Sequence, residues 1–465
     1  MDPISKRQKP LEESKKMEES EEEEDRLSRL PSSIIGHILS FLPTKQAMAT
    51  SVLSTKWKHL WKSISNLDFD DWFVTKHPHN ISTTRSVRSF EKKLFIDFVY
   101  QVLLLRNVWD MNKFRLKYIN KSSASHINAW VATALSRKVR ELDLFINNAD
   151  GNILRLPGDL FISTTLVLLS LRLTTRVSLN VPNLVSLNSL KILHLHSVGF
   201  SDEDTLHRLI SSCHVLDDLS IQDCLWRNTG VVNISSSSLK SLIMKTMFID
   251  DKCKIVLNTP NLQHLVYHNL LKGGYLWDNL NSLVKASIRL TLYSTAKARD
   301  RVVKLAVSQL VEGVSGVQRL YLNGDSMEAV QLWCCSLPEF HNLTYLELGH
   351  IKGVSWKLLP DLLGTSRQLQ TLVFEDLSTV GDENHQLHWY PPEKVPSCLL
   401  LHLKVIEIRK FRGERDELKL AKYFLKNANV LKKLIIHPTV SKESEVCKEL
   451  LMLPRGSKTC QVDFI

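Results

Sequence analysis

Residues 190–195 read LKILHL and residues 216–221 read LDDLSI. Each places apolar side chains at its first, fourth and sixth positions. The same pattern recurs as twelve triplets. They run from Val139/Leu142/Leu144 and Leu166/Leu169/Leu171, through Leu239/Leu242/Met244, Leu262/Leu265/Tyr267, Leu283/Ala286/Ile288 and Val317/Leu320/Leu322, to Leu403/Ile406/Ile408 and Leu431/Leu434/Ile436. Their central residues lie 21 to 34 apart, an irregular period near 25. Self-similarity at such a period marks a stacked architecture. The last two apolar residues of each triplet are separated by one residue, so in a strand both point to the same face. No unit of this size buries that face alone, and neighbouring copies must stack.

The stretches between triplets predict the outer layer. Residues 294–314 place Val302, Val303, Leu305, Ala306, Leu310 and Val311 at helical spacing, which predicts a long outer helix. Residues 378–396 are polar and hold Pro391, Pro392 and Pro396, which predicts a surface loop and a seam. The expectation is an α/β leucine-rich-repeat solenoid over residues 139–377, with parallel strands inside and helices or loops outside. Upstream, residues 90–105 and 125–135 show helical periodicity. They predict a helical linker and N-terminal cap over residues 72–138, entered through a loop at 72–87. In each strand the residues alternating with the core pair face the inner curve. Lys245, His264, His268, Lys285, Arg289, Arg319, Tyr321 and Tyr345 are the candidate substrate-binding residues there. They suit an acidic peptide or a folded partner, although a solvated strand face carries the same residue types.

From Trp389 the chain reads WYPPEKVPSCLLLHLKVIEIRKFRGERDELKLAKYFLKNANVLKKLIIHP and then, from Leu450, LLMLPRGSKTCQVDF. The pattern predicts strands at 405–408 and 431–436, helices at 414–426 and 441–452, and a closing strand at 460–464. These residues resemble the FBD domain that ends many plant F-box/leucine-rich-repeat proteins. The resemblance implies a unit over residues 378–465 that closes the solenoid, with no catalysis of its own.

Residues 25–71 read DRLSRLPSSIIGHILSFLPTKQAMATSVLSTKWKHLWKSISNLDFDD. Ile34, Ile35, Ile38, Leu39 and Leu42 fall at helical spacing after Leu30-Pro31, and Pro43 is expected to end that helix. Residues 46–53 read as a second helix. Ser54 is placed to cap a third, which carries Trp57, Leu60 and Trp61 at spacings of three and four. Three short helices bury too little of this surface among themselves, so the surplus must face a partner or another domain. The stretch closely resembles an F-box in its plant form. The resemblance implies a three-helix module that docks a Skp-type adaptor of a Skp–cullin–F-box (SCF) ubiquitin ligase. The residues it carries over are Leu30, Pro31, Ile34, Ile35, Ile38, Leu39, Leu42, Val52, Leu53, Trp57, Leu60 and Trp61. KWKHLWK also has the composition of a base-stacking patch. Both tryptophans share the apolar helix face with Leu60, however, so nucleic acid is not the expectation.

At 465 residues and 43% hydrophobic, the chain can hold a small domain and a large one. Net charge is +11, unevenly spread: residues 1–25 hold five basic and ten acidic side chains, so the remainder carries +16. Residues 1–24 lack apolar periodicity and are expected to be a disordered acidic tail. Lys6-Arg7-Gln8-Lys9 is at most a weak nuclear signal. No signal-peptide core and no membrane-length apolar run is present, so cytoplasm or nucleus is expected. The eight cysteines are scattered without zinc spacing, and neither metal nor cofactor is expected. Cys334-Cys335 reads as part of a buried helix. His194, His196, His264 and His268 read as exposed strand residues. No GxGxxG, phosphate loop, HExxH or GxSxG motif occurs. The resemblances together imply a non-catalytic substrate receptor of an SCF-type ligase, joined to cullin through the adaptor. A small-molecule receptor on the inner face and a non-ligase scaffold or nucleic-acid binder are the alternatives.

Overall fold

The computed structural model describes residues 30–71, 85–106, 110–119, 124–147, 155–173, 178–200, 202, 204–226, 230–246, 253–270, 275–278, 280–292, 301–334, 336–351, 356–377, 389–439 and 445–465. The acidic tail, residues 72–84 and most of the proline-rich seam lie outside them. The chain divides into two compact units, Met1–Met111 and Asn112–Ile465.

In the first unit each of two helices follows a proline. Pro31 (φ −55°, ψ 143°) precedes Ser32–Leu39, and Pro43 (φ −53°, ψ 141°) precedes Thr44–Ala49. The fixed φ and missing donor suit that place, where the N–H would go unused. Pro43 therefore starts the second helix rather than ending the first. The first has already stopped at Leu39, and the Ser40 hydroxyl donates to the His37 carbonyl at 2.6 Å. A 3₁₀ turn, Thr50–Val52, continues the second helix. The expected third α-helix is a 3₁₀ segment, Trp57–Ser63, which follows Lys56 without a side-chain cap. Ser54 instead meets it through its backbone carbonyl, which accepts from Trp57 N at 3.1 Å. The strand Asn66–Asp70 buries Leu67 and Phe69. Helix Arg85–Leu105 buries Phe95, Val99 and Val102 and sets Phe98 edge-on to Phe69 at 5.9 Å.

The second unit is built on parallel strands laid side by side. Adjacent pairings put the central triplet residues in one register: Leu142 beside Leu169, Leu193, Leu219, Leu242, Leu265, Ala286, Leu320, Leu346, Leu372, Ile406 and Leu434 in turn. The third triplet residues form a second ladder two places on. All of these side chains are buried. Two further strands extend the ladders. Lys113–Tyr118 adds Phe114 and Leu116 before the first predicted copy, so the sheet of this unit begins inside the stretch read as a helical cap. Gln461–Phe464 adds Val462 and Phe464 after the last.

The outer layer changes with the interval between copies. Helices Asp204–Ser211, Arg301–Gly313, Gly324–Trp333, Leu358–Thr365 and Arg415–Asn427 fill intervals of 26 residues or more. The three shortest intervals, 23, 23 and 21 residues, carry Val231–Ser235, Lys254–Asn258 and Tyr275–Asp278 instead, paired as a second parallel sheet. A helix rises 1.5 Å per residue against about 3.3 Å for a strand. Strand covers more of the return journey per residue, and the shortest intervals take that form here. These outer strands depart from the expected outer helices.

Candidate functional site

The F-box residues divide into two sets. Ile35, Leu39, Trp57 and Trp61 are buried, and Leu30, Leu42 and Leu60 are half-buried. Pro31, Ile34, Ile38, Val52 and Leu53 are exposed, Val52 to 87% and Leu53 to 59%. Spacing explains the first helix: Ile35 and Leu39 are four apart and face inward, while Ile34 and Ile38, also four apart, face out. Phe41, one turn further along that outer line, is 75% exposed and joins it, its ring edge-on to His37 at 4.9 Å. The sequence reading omitted it because it lies beyond the helix. Lys56 Nζ donates to the Leu30 carbonyl at 2.6 Å, which ties the turn after Leu53 to the start of the first helix. These large aliphatic side chains are left in water on a small module.

On the inner face of the second unit, register brings the candidate residues into two rows. Lys245, His268 and Arg289 are successive partners in one row. His264, Lys285, Arg319 and Tyr345 are successive partners in the other. Between the rows run Ile243, Val266, Ser287 and Tyr321. Arg289 lies over the Tyr321 ring at 4.2 Å, and Arg319 over the Tyr345 ring at 4.7 Å. The Tyr321 hydroxyl donates to Glu375 Oε2 at 2.8 Å, reaching across Gly349. Burial, then this bond to a carboxylate, pushes the Tyr321 phenol well above its ordinary pKa. Burial, followed by Arg289 and Lys245, lowers the pKa of His268 below 6.5. A knot of polar contacts fixes the backbone beneath Arg289: Asn323 Nδ2 donates to the Leu290 carbonyl (2.9 Å), and Leu290 N donates to Ser326 Oγ (2.9 Å).

Charge pairing separates this centre from its flanks. Towards the start of the sheet, Lys113 meets Glu141 (3.6 Å), Arg115 meets Asp143 (3.5 Å) and His194 meets Asp218 (3.3 Å). Towards the end, Arg409 meets Glu407 (2.7 Å) and Glu347 (2.8 Å), and Arg412 meets Asp376 (2.8 Å). The four central strands, Ser241–Thr246, His264–Leu270, Lys285–Thr291 and Arg319–Leu322, contain no Asp or Glu. Among the described residues Lys245, Lys285, Arg289 and Arg319 have no carboxylate partner.

A cavity of about 310 Å³ opens beside this centre, lined by Arg289, Tyr321, Asn323, Asp325, His350, Glu375, Asp376 and Lys410. Of the candidate substrate-binding residues only Arg289 and Tyr321 reach it. Cys334 is half-buried at the end of helix Gly324–Trp333, its thiol donating to the Ser336 carbonyl at 3.2 Å. It is therefore not within a buried helix as expected, and Cys335 lies outside the described residues. Burial pushes the Cys224 and Cys398 thiols up to about 12, and they stay protonated. Among the described residues no three His, Cys, Asp or Glu side chains are grouped to hold a metal, and no helix is long and apolar enough to cross a membrane.

A short helical module with bare aliphatic residues, next in the chain to a parallel-strand repeat unit, defines an F-box protein with a leucine-rich-repeat solenoid. Family comparison agrees: residues 27–69 match the F-box domain, residues 127–292 the LRR repeats of FBD-associated F-box protein At5g56370, and residues 391–436 the FBD family. F-box/LRR-repeat protein At4g14096 of Arabidopsis thaliana is 33% identical, covering 95% of each chain. Putative F-box/FBD/LRR-repeat protein At3g59240 of the same plant is 34% identical over 95% of this chain and 89% of its own. The chain belongs to this plant F-box/LRR-repeat family with a C-terminal FBD segment.

Proposed function

We propose that this chain is the substrate-receptor subunit of an SCF-type ubiquitin ligase. Its F-box docks a Skp-type adaptor and through it a cullin, and the solenoid holds a protein substrate on its inner face. The observation that carries the reading is the exposed line Ile34, Ile38 and Phe41 with Val52 and Leu53 on an F-box fold. The chain catalyses nothing itself. It raises the effective concentration of substrate lysines near the ubiquitin-charged enzyme, a gain of proximity rather than chemistry. The compartment of such a complex is cytosol or nucleus.

Co-expression with a Skp-type adaptor tests this. The wild-type chain is expected to co-purify with the adaptor, and Val52→Asp/Leu53→Asp is expected not to while keeping its circular dichroism and melting transition. Both positions are exposed, so the substitution removes a docking contact without opening a core. A wild-type chain that captures no adaptor would contradict the proposal.

A further inference from the structure

The centre of the inner face is a two-row cation platform. Curvature in a strand–helix solenoid arises because helices pack 8–10 Å apart while strands pack about 4.8 Å apart. Behind the strands from Asp218 to Thr291 the outer elements are themselves strands, so the two layers share one spacing. Lys245, His268 and Arg289 stand in one row, and His264, Lys285 and Arg319 in the other. The rows lie four residues apart along the strands, or roughly 13 Å. Half-buried Ile243 and Val266 run between them.

Taking the solenoid as the substrate-binding part, as above, we infer that its central inner face binds an extended, Asp/Glu-rich polypeptide segment with an apolar residue at its middle. The segment crosses the strands along the Ile243–Val266 row. In an extended chain successive side chains point to opposite sides, so alternate carboxylates reach the two cation rows while the apolar residue rests on Ile243 and Val266. Rows some 13 Å apart are too widely spaced for one small anionic group to bridge. The tyrosine faces that could stack a nucleobase carry guanidiniums instead, Arg289 on Tyr321 and Arg319 on Tyr345. The four strands bearing the platform contain no acid of their own, so the complementary charge comes from the partner.

Fluorescence polarisation on the full-length chain tests the inference. The probe is a labelled nonapeptide, four alternating Glu and Asp residues on each side of one Leu. The comparators are the same peptide with Gln and Asn in place of the acids, and a short oligothymidylate. The acidic peptide should bind, with the Gln/Asn peptide at least about tenfold weaker. Lys285→Glu/Arg319→Glu and Lys245→Glu/Arg289→Glu should each weaken binding by about tenfold or more. Lys304→Glu, an exposed cation on the outer helix Arg301–Gly313, should leave binding unchanged. Equal affinity for the neutral peptide, tighter binding of the oligothymidylate, or unchanged affinity in either reversed variant with its fold intact would overturn the inference. Adaptor capture measured on the same preparations separates the two readings. Capture without peptide binding removes the acidic-segment inference alone, and peptide binding without capture removes the ligase reading alone.

Discussion

The two candidate surfaces are opposite in chemistry. The F-box leaves Ile34, Ile38, Phe41, Val52 and Leu53 in water. Among the described residues the cations of the central solenoid strands, Lys245, Lys285, Arg289 and Arg319, have no carboxylate partner, while neighbouring strands of the same sheet pair theirs. Apolar exposure asks for a dry, complementary groove and gives an association driven by area. Unpaired cations ask for an oppositely charged partner and give one governed by ionic strength. One chain thus presents a surface suited to a fixed partner and another suited to a selected one.

The largest effect expected from breaking this contrast comes from confusing the F-box core with its surface. Trp57 is buried. Trp57→Ala should destabilise the module by about 3–5 kcal/mol, seen as a lost or lowered melting transition. Ile34→Asp should leave that transition in place, because Ile34 is exposed. If both variants melt alike, the division of the F-box residues is wrong.

A smaller effect is expected at Gly349. A Cβ there would meet the Tyr321 hydroxyl, so Gly349→Ala should push the phenol off Glu375 and remove the support beneath Arg289. The loss is about 1 kcal/mol in denaturant unfolding, with weaker acidic-peptide binding and unchanged adaptor capture. Unchanged stability would show that the Tyr321–Glu375 bond is not maintained.

The smallest effect is a pH dependence. The pKa of His268 is lowered from 6.5, by burial first and then by Arg289 and Lys245, with Asp223 opposing. Below about 6.5 the unfolded chain binds a proton there that the folded chain resists. Stability should therefore fall as pH drops from about 6.5 to the depressed value. A bound acidic segment offsets the two cations and returns the pKa upward, so peptide affinity should rise through the same window. His268→Asn should flatten both profiles. A pH response that survives the substitution would place its origin elsewhere.

Much of the fold was legible because a triplet such as Leu190/Leu193/Leu195 states both the strand and its buried face, and one-residue slips would expose the whole ladder. Lys113–Tyr118 escaped notice because Phe114 and Leu116 sit among Lys113, Arg115 and Lys117, and the residue completing the triplet is Met111. The outer strands were not legible: helices or loops were expected there, and an interval of 21–23 residues can hold a strand with a helix or 3₁₀ turn as readily as two strands. The division between Trp57, buried, and Val52, exposed, was not legible. Both are apolar, and the 3₁₀ geometry that separates them gives no strong periodicity over so few residues. The absence of Asp and Glu from the four central strands was readable throughout. Its meaning needed the register that places their cations in adjoining rows.

The most direct measurement is co-elution of the purified chain with a Skp-type adaptor on size exclusion, at low and at high salt, for the wild type, Ile34→Asp/Ile38→Asp and Lys285→Glu/Arg319→Glu. A salt-resistant complex is expected for the wild type and the solenoid variant, and none for the folded F-box variant. A complex that survives Ile34→Asp/Ile38→Asp, or that dissolves with salt and with Lys285→Glu/Arg319→Glu, would contradict this expectation.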